Sequence, residues 1–278
     1  MDESLKENKE LILFESQKIR KQMFNGEWNY SVVDIIEILT NSKNPNTYWR
    51  VMKKRLFDEG NESVTNCNEL RMTSKKDGKK YKTDCANRET IFRLIQSIPS
   101  PNAEPFKLWF ARLAEERIQE VIDPSLAIER ARKTYLKKGY DEEWTNTRLK
   151  GIGARNNITK EWKNRGADTK DYSILTDEIS KGTFGVTTQQ HKTIKGLDKQ
   201  NLRDNMSSLE LALMTLAEVT TTEIHKSNNS FGVHELKQDA HDGGEIASIT
   251  RKNIEAKIGK PVLTSENANN FRTQKKLS

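Results

Sequence analysis

The sequence is poor in cysteine and proline, with 2 Cys and 6 Pro among 278 residues. Cys67 and Cys85 are too few for the disulfide framework of a small secreted protein, and no apolar leader segment is recognisable. No stretch approaches the roughly 18 consecutive apolar residues that a membrane-spanning helix needs. These absences predict a cytoplasmic protein with no membrane partner.

Sequence motifs of common enzyme classes are also missing. No phosphate-binding GxxxxGK[ST] occurs, and Gly151-Ile152-Gly153 lacks the preceding strand of a dinucleotide-binding loop. His234-Glu235 is not followed by the second histidine of HExxH, and the spacing of His225, His234 and His241 matches no known set of zinc ligands. We therefore expect no catalytic residues, no metal and no cofactor.

Positive charge is the strongest compositional signal. The net charge is +7 and the isoelectric point is about 9.2. The segment 50–93 holds 12 basic and 7 acidic residues, and the segment 150–203 holds 11 basic and 6 acidic residues. Such clustering favours a polyanionic partner such as DNA, although lysine-rich surfaces also serve solubility alone.

The stretch around Asp77-Gly78 predicts a basic β-hairpin. Asp-Gly suits a two-residue type I′ turn, and both flanks can form strands. A two-stranded ribbon can lie along DNA while its lysines neutralise phosphates, with a basic helix at residues 47–56 beside it. The predicted DNA-binding residues are Arg50, Lys53, Lys54, Arg55, Arg71, Lys75, Lys76, Lys79, Lys80, Lys82 and Arg88.

After the hairpin, the apolar period changes from two to about 3.6 residues, which predicts a helix from Asn87 to the Pro99 region. A second helix is expected to direct Phe106, Phe110, Leu113 and Val121 inward. Short strands therefore alternate with helices over the first 120 or so residues, and this alternation is typical of an α+β fold.

Beyond Asp123-Pro124 the pattern is helical. Short helices are predicted at 142–151, 159–165, 173–180 and 188–194, each ended by a glycine. A long apolar helix at 202–227 could form a domain core or the seam of a homo-oligomer. The last helix, at 233–258, is expected to break at Gly243-Gly244.

The predicted fold class is thus α+β, with a small N-terminal domain of antiparallel hairpins and helices followed by an all-α domain. The expected boundaries are 1–122 for the first domain and 123–262 for the second. Residues 263–278 are expected to form a disordered tail.

The first 120 residues resemble the N-terminal domain of the BRO family, which occurs in viral BRO proteins and prophage antirepressors. The resemblance rests on Gly26-Glu27-Trp28 with the Val32–Ile36 run, on the Arg88–Ile95 helix, and on the Ala103–Phe110 motif. Residues 38–41 depart from the family pattern. The resemblance implies an α+β DNA-binding type of domain.

The remainder, to about residue 263, resembles the C-terminal part of DNA-damage-inducible protein D and its relatives. Residues 176–178, 184–185, 201–206, 209–213 and 221–224 carry this similarity. Together the two resemblances imply a non-enzymatic prophage or SOS-type regulator that binds DNA or another regulator.

Three functions remain open from the sequence. The leading one is a regulator that binds single- or double-stranded DNA through the hairpin. The alternative is a protein-binding inhibitor of a repressor or of a recombinase–DNA filament. A nuclease is disfavoured because the sequence contains no acidic metal-binding cluster.

Overall fold

The computed structural model of the protein describes residues 19–74 and 77–270. The chain separates between Asp123 and Pro124 into two units, here called the α+β unit and the helical unit. The α+β unit contains a small antiparallel sheet with helices, and the helical unit contains only helices and connecting segments within the described residues. The predicted fold class is confirmed.

The α+β unit forms one four-stranded sheet in the order β1-β2-β4-β3, with every neighbouring pair antiparallel. The strands are β1 (Lys21–Phe24), β2 (Glu27–Ser31), β3 (Asn68–Thr73) and β4 (Lys80–Ala86). The helices are α1 (Val32–Thr40), α2 (Pro45–Asp58), α3 (Arg88–Gln96) and α4 (Glu104–Ile122).

Local signals set the first hairpin and two helix starts. Asn25 and Gly26 take φ angles of 50° and 80°, as the type I′ turn between β1 and β2 requires. Ser31 caps α1 by accepting from the Asp34 amide, and Asn87 caps α3 by accepting from the Thr90 amide. The predicted cap at Asn87 is confirmed.

The second hairpin has a longer connection than the predicted two-residue turn. Ser74 N donates to Lys79 O at 2.7 Å, so the ladder between β3 and β4 continues to this pair and the connection spans residues 75–78. Gly78 has a φ of 70°, which a residue without Cβ adopts freely. Asp77-Gly78 therefore lies in the hairpin connection, but a four-residue one.

Helices α1, α2 and α3 bury their apolar faces against Tyr30 and Ala86 of the sheet. Helix α4 contributes Phe106 to this core, and Phe110 packs at its margin. Leu113 is 37% exposed and Val121 is 82% exposed, so the prediction that both point inward is wrong. Only the first turns of α4 meet the core of their own unit.

The helical unit contains six α-helices among its described residues. They are α5 (Ser125–Lys137), α6 (Glu142–Asn164), α7 (Asp171–Phe184), α8 (Thr188–Ile194), α9 (Ser208–Asn228) and α10 (Val233–Ile258). Helix α6 is continuous, so the two predicted helices at 142–151 and 159–165 are one. Gly151 lies inside it, and a Cβ there would come 3.0 Å from Thr215 Oγ1 of α9.

Glycines Gly182, Gly243 and Gly244 mark close contacts between helices rather than helix ends. A Cβ on Gly182 would lie 2.8 Å from Gly244 Cα, which brings the backbones of α7 and α10 together. A Cβ on Gly243 would meet Thr221 of α9. Helix α10 runs unbroken through both of its glycines, so the predicted break at Gly243-Gly244 is wrong.

The long apolar helix α9 belongs to the core of its unit. Leu211, Leu213, Met214 and Ala217 are buried with residues of the neighbouring helices. A capping box formed by Ser207 and Glu210 starts α9, six residues after the predicted start. Burial in the core thus accounts for much of the apolar face of α9, although Leu216 and Val219 of the same helix are 38% and 48% exposed.

Of the tail expected at 263–278, residues 263–270 pack against the helical unit, and residues 271–278 lie outside the described residues. Ala268 is buried in the core, and its amide donates to Asn205 Oδ1 at 3.2 Å. Lys195 Nζ donates to the carbonyls of Thr264 and Glu266 at 3.0 and 2.8 Å. The polar sequence is therefore held by hydrogen bonds that its composition does not reveal.

A buried hydrogen-bond chain joins α6, α9 and α10 of the helical unit. Trp162 Nε1 donates to His225 Nε2 at 3.0 Å, and His225 Nδ1 lies 2.8 Å from Asp239 Oδ2. Since Nε2 must accept, Nδ1 carries the proton and the ring is neutral. Burial lowers the pKa of His225, and the Asp239 hydrogen bond offsets only part of this effect.

This arrangement predicts acid sensitivity of the helical unit. The lowered pKa of His225 means that the unfolded chain binds its proton more readily, so stability is full above pH about 6.5 and falls below it. The slope contributed by His225 is at most about 1.4 kcal/mol per pH unit. Melting curves between pH 7.5 and 5.5 should show a shallower slope for H225Q. The exposed H234Q control should keep the wild-type slope, and equal slopes for all three proteins would refute the assignment.

No helix among the described residues is long and apolar enough to cross a bilayer.

Candidate nucleic-acid interface

The outward face of the β3–β4 hairpin is polar and basic. Along β3, Leu70 and Met72 are buried, while Glu69, Arg71 and Thr73 are exposed. Opposed residues in an antiparallel pair share a face of the sheet. The register sets Arg71 opposite Lys82 and Thr73 opposite Lys80, so the basic residues of both strands lie on one side. We call Arg71, Lys80 and Lys82, together with the exposed Lys79 at the end of the ladder, the basic face.

Charge repulsion is built into this face. Arg71 and Lys82 are directly opposed cations, an arrangement that destabilises a bare sheet. Lys82 Nζ makes an exposed ion pair with Glu69 at 2.6 Å. In the part of the chain that the structure describes, neither Arg71 nor Lys80 has an acidic partner. A bound anion would relieve this repulsion.

Helix α2 is attached to the same hairpin through Asp84. Trp49 Nε1 and Lys53 Nζ donate to Asp84 Oδ2 at 2.6 and 2.8 Å. Asp84 lies opposite Glu69 in the register, on the side of the sheet that carries the basic face. Lys53 is thereby fixed beside the hairpin, with part of its charge neutralised.

The other basic residues of α2 divide into two groups. Arg50 and Lys54 are exposed one turn apart and line a shallow surface groove. Arg55 donates from Nη2 to Ser97 O at 2.9 Å and forms an ion pair with Glu59. The guanidinium of Arg55 therefore connects α2 to the end of α3 and is less available for a ligand.

The remaining predicted residues lie at the hairpin connection and on α3. Lys79 is exposed where the ladder ends, and Arg88 is exposed in the first turn of α3. Lys75 and Lys76 lie outside the described residues. The structure thus brings Lys53 to the side of the hairpin that carries Arg71, Lys80 and Lys82, and Lys79 follows at the end of the ladder.

Asp77 is tied into the hairpin connection. Tyr81 Oη donates to Asp77 Oδ2 at 2.6 Å, and Lys79 N donates to Asp77 Oδ1 at 3.2 Å. The hydrogen bonds from Tyr81 and Ser74 lower the pKa of Asp77, while Asp77 raises the pKa of Tyr81. Asp77 therefore stays ionised, and its hydrogen bonds join it to the start of β4.

Arg20 links the last residue of β3 to helix α1. Its Nε and Nη2 atoms donate to the Asp34 carboxylate at 2.9 and 2.7 Å, and Nη1 donates to Thr73 O at 3.4 Å. The hydrogen bond that Arg20 donates to Asp34 raises the pKa of Arg20. Neither this contact nor the Trp49–Asp84 bond was predicted, because both join residues far apart in sequence.

The two cysteines offer no reactive group near this surface. Burial raises the pKa of Cys67 and of Cys85 to about 12, and neither cysteine forms a disulfide within the described ranges. Within the described ranges, no three His, Cys, Asp or Glu side chains cluster closely enough to hold a metal ion.

A comparison with known protein families finds a match over the α+β unit. Residues 18–122 match the family described as BRO family, N-terminal domain. The match extends through the end of α4 and supports the expected BRO-type N-terminal domain. This family is associated with DNA-binding regulators, including prophage antirepressors. No match was found among curated proteins.

Proposed function

We propose that the protein is a non-enzymatic DNA-binding regulator that contacts phosphates through the basic face of the β3–β4 hairpin. The observation that carries the proposal is the register that opposes Arg71 to Lys82, while Arg71 and Lys80 have no acidic partner among the described residues. Two directly opposed cations lower the stability of the hairpin. A bound polyanion that neutralises them would offset this loss, which is the best explanation for their placement.

The composition of the basic face indicates affinity rather than sequence reading. Lysine neutralises phosphates without selecting a base. Arginine, asparagine and glutamine can instead form bidentate hydrogen bonds to the edge of one base. Of the basic face, only Arg71 could do so. We therefore expect the hairpin to bind many DNA sequences with similar affinity.

We propose that the helical unit binds a regulatory protein or a second copy of the chain, in a prophage or DNA-damage-response setting. The resemblance of residues 123–262 to the C-terminal part of DNA-damage-inducible protein D supports this division. Self-association or capture of a repressor or recombinase protein would then occur on the helical unit, while the α+β unit holds DNA.

A charge-removal experiment tests the proposal. The variant R71A/K79A/K80A removes the three cations of the basic face that have no acidic partner among the described residues. We expect its affinity for fluorescein-labelled single- or double-stranded DNA, at near-physiological salt, to fall at least about tenfold. Fluorescence anisotropy with the full chain measures this change.

The matched control is K150A/K163A/K199A, which removes three exposed lysines of the helical unit and changes the net charge equally. This control should bind within about twofold of wild type. Equal losses in both variants would show that net charge alone governs binding. Absence of binding by wild type would leave the protein-binding inhibitor as the better account.

A further inference from the structure

The α+β unit contains a cavity of about 330 Å³ that the basic face does not use. It opens where β4 passes into α3, beside the turn between β1 and β2. Five of its ten lining residues are asparagines. They are Asn25, Asn29, Asn66, Asn68 and Asn87.

The sheet register explains why the amides meet. The last ladder pairs at this end are Tyr30 with Ala86 and Asn68 with Cys85. Asn29 directly precedes Tyr30 in β2, and Asn87 directly follows Ala86 at the end of β4. The asparagines thus come from neighbouring strand ends.

The deepest amide is held in a fixed orientation. Asn29 is 3% exposed, its Oδ1 accepts from Asn68 Nδ2 at 3.1 Å, and its Nδ2 donates to Glu27 O at 3.3 Å. Each bond uses one donor or acceptor site, and an amide offers two of each. A second donor and a second acceptor therefore remain on Asn29 for a ligand.

Other amides of the cavity have spare capacity. The side chains of Asn25 and Asn66 make no hydrogen bond within the described chain, and Asn87 Nδ2 donates to Glu27 Oε2 at 3.2 Å. Paired donors and acceptors of this kind match a ligand that itself alternates donors and acceptors.

The charges of the cavity exclude a phosphate as its preferred ligand. Glu27 and Glu89 place two carboxylates in the lining against the single guanidinium of Arg93. Arg93 Nε already donates to Asn61 Oδ1 at 3.3 Å. The cavity therefore favours a neutral ligand that donates hydrogen bonds, unlike the basic face.

We propose that this cavity binds a single nucleobase. Asparagine amides pair with adenine edges, carboxylates accept from exocyclic amino groups, and Phe24 supplies an aromatic ring in the lining. The base is supplied by an unstacked nucleotide of bound DNA or by a free nucleoside. The first source rests on the proposed DNA-binding function, and the second does not.

The test uses N66A in the full chain, because the exposed Asn66 side chain makes no hydrogen bond to any described residue and its loss should not affect folding. A second variant, N68A, removes the hydrogen bond that Asn68 donates to Asn29. The control is N46A, which changes an exposed asparagine of α2. Anisotropy compares single-stranded oligonucleotides of dA, dC or dT with an abasic strand. Calorimetry measures free adenosine and cytidine.

Wild type and N46A should prefer at least one base-bearing strand over the abasic strand by about tenfold. N66A and N68A should lose that preference with an unchanged salt slope, because no phosphate contact is removed. Equal binding of abasic and base-bearing strands, without nucleoside binding, would overturn the proposal and leave the hairpin function standing.

Binding of free nucleosides that N66A abolishes, without any binding of oligonucleotides, would support the cavity and remove the DNA-binding function. A base preference that survives in both N66A and N68A would place base recognition elsewhere and overturn the cavity assignment.

Discussion

Replacing Gly244 with alanine should destabilise the helical unit by about 3 kcal/mol. A Cβ at this position would come 2.8 Å from Ile179 O and 2.9 Å from Gly182 Cα. Both atoms belong to the backbone of α7, so no side-chain rotation can relieve the overlap. The two helices must separate, and their shared core must loosen. Hydrogen exchange followed by mass spectrometry on α7 and α10 peptides measures this loss locally.

Gly153→Ala is the matched control, because this glycine also lies within a helix but has no atom within 4 Å of an added Cβ. Alanine should stabilise α6 there by up to about 1 kcal/mol, since glycine is the poorer helix former. Equal effects at both positions, or a stable G244A protein, would contradict the close contact between α7 and α10.

Replacing Lys195 with methionine should destabilise the helical unit by about 3–5 kcal/mol. Lys195 is 1% exposed, and its Nζ lies 2.9 Å from Glu210 Oε1. Burial opposes ionisation of Glu210, but the His191 hydrogen bond and the charge of Lys195 outweigh it and lower the pKa of Glu210. Without Lys195 a buried carboxylate loses its cation, and the carbonyls of Thr264 and Glu266 lose their donor.

The double variant K195M/E210Q separates charge loss from packing loss. Removing the carboxylate charge together with the ammonium should recover a large part of the stability, because replacing a whole buried pair costs less than breaking it. K199A, at an exposed lysine nearby in sequence, should remain within about 0.5 kcal/mol of wild type. Chemical denaturation of the three variants gives the comparison, and a harmless K195M would show that the buried pair contributes little.

Features coded by a few adjacent residues could be predicted from the sequence. Asn25-Gly26 specifies its turn by backbone conformation, and Asn87 specifies a helix start by one side-chain acceptor. The apolar period of 3.6 residues likewise identified α3. Each signal is complete within one turn or one helix, so no tertiary information was needed.

Glycines were misread because their role depended on another helix. At Gly243 and Gly244 a missing side chain signals either a helix end or a close helix contact, and the sequence does not distinguish the two. The structure shows contact with Thr221 and with the α7 backbone. Residues 263–270 were misread for the same reason, since their hydrogen-bond partners, such as Lys195, lie about 70 positions earlier.

The candidate site was partly visible in the sequence. Clustered lysines indicated the hairpin, and alternation along β3 places Arg71 outward as a strand requires. The link from Trp49 to Asp84 and the row of asparagines depend on strand register. Spread along the sequence, the five asparagines carry no pattern, and only the folded sheet brings them together.

The salt dependence of DNA binding tests the central claim most directly. For wild type, the logarithm of the association constant should fall linearly with the logarithm of salt concentration, with a slope of about 0.9 per neutralised phosphate on duplex DNA. R71A/K79A/K80A should lower that slope by about 3, while K150A/K163A/K199A should leave it unchanged. A wild-type affinity that does not respond to salt, or an equal slope in R71A/K79A/K80A, would contradict phosphate binding by the basic face.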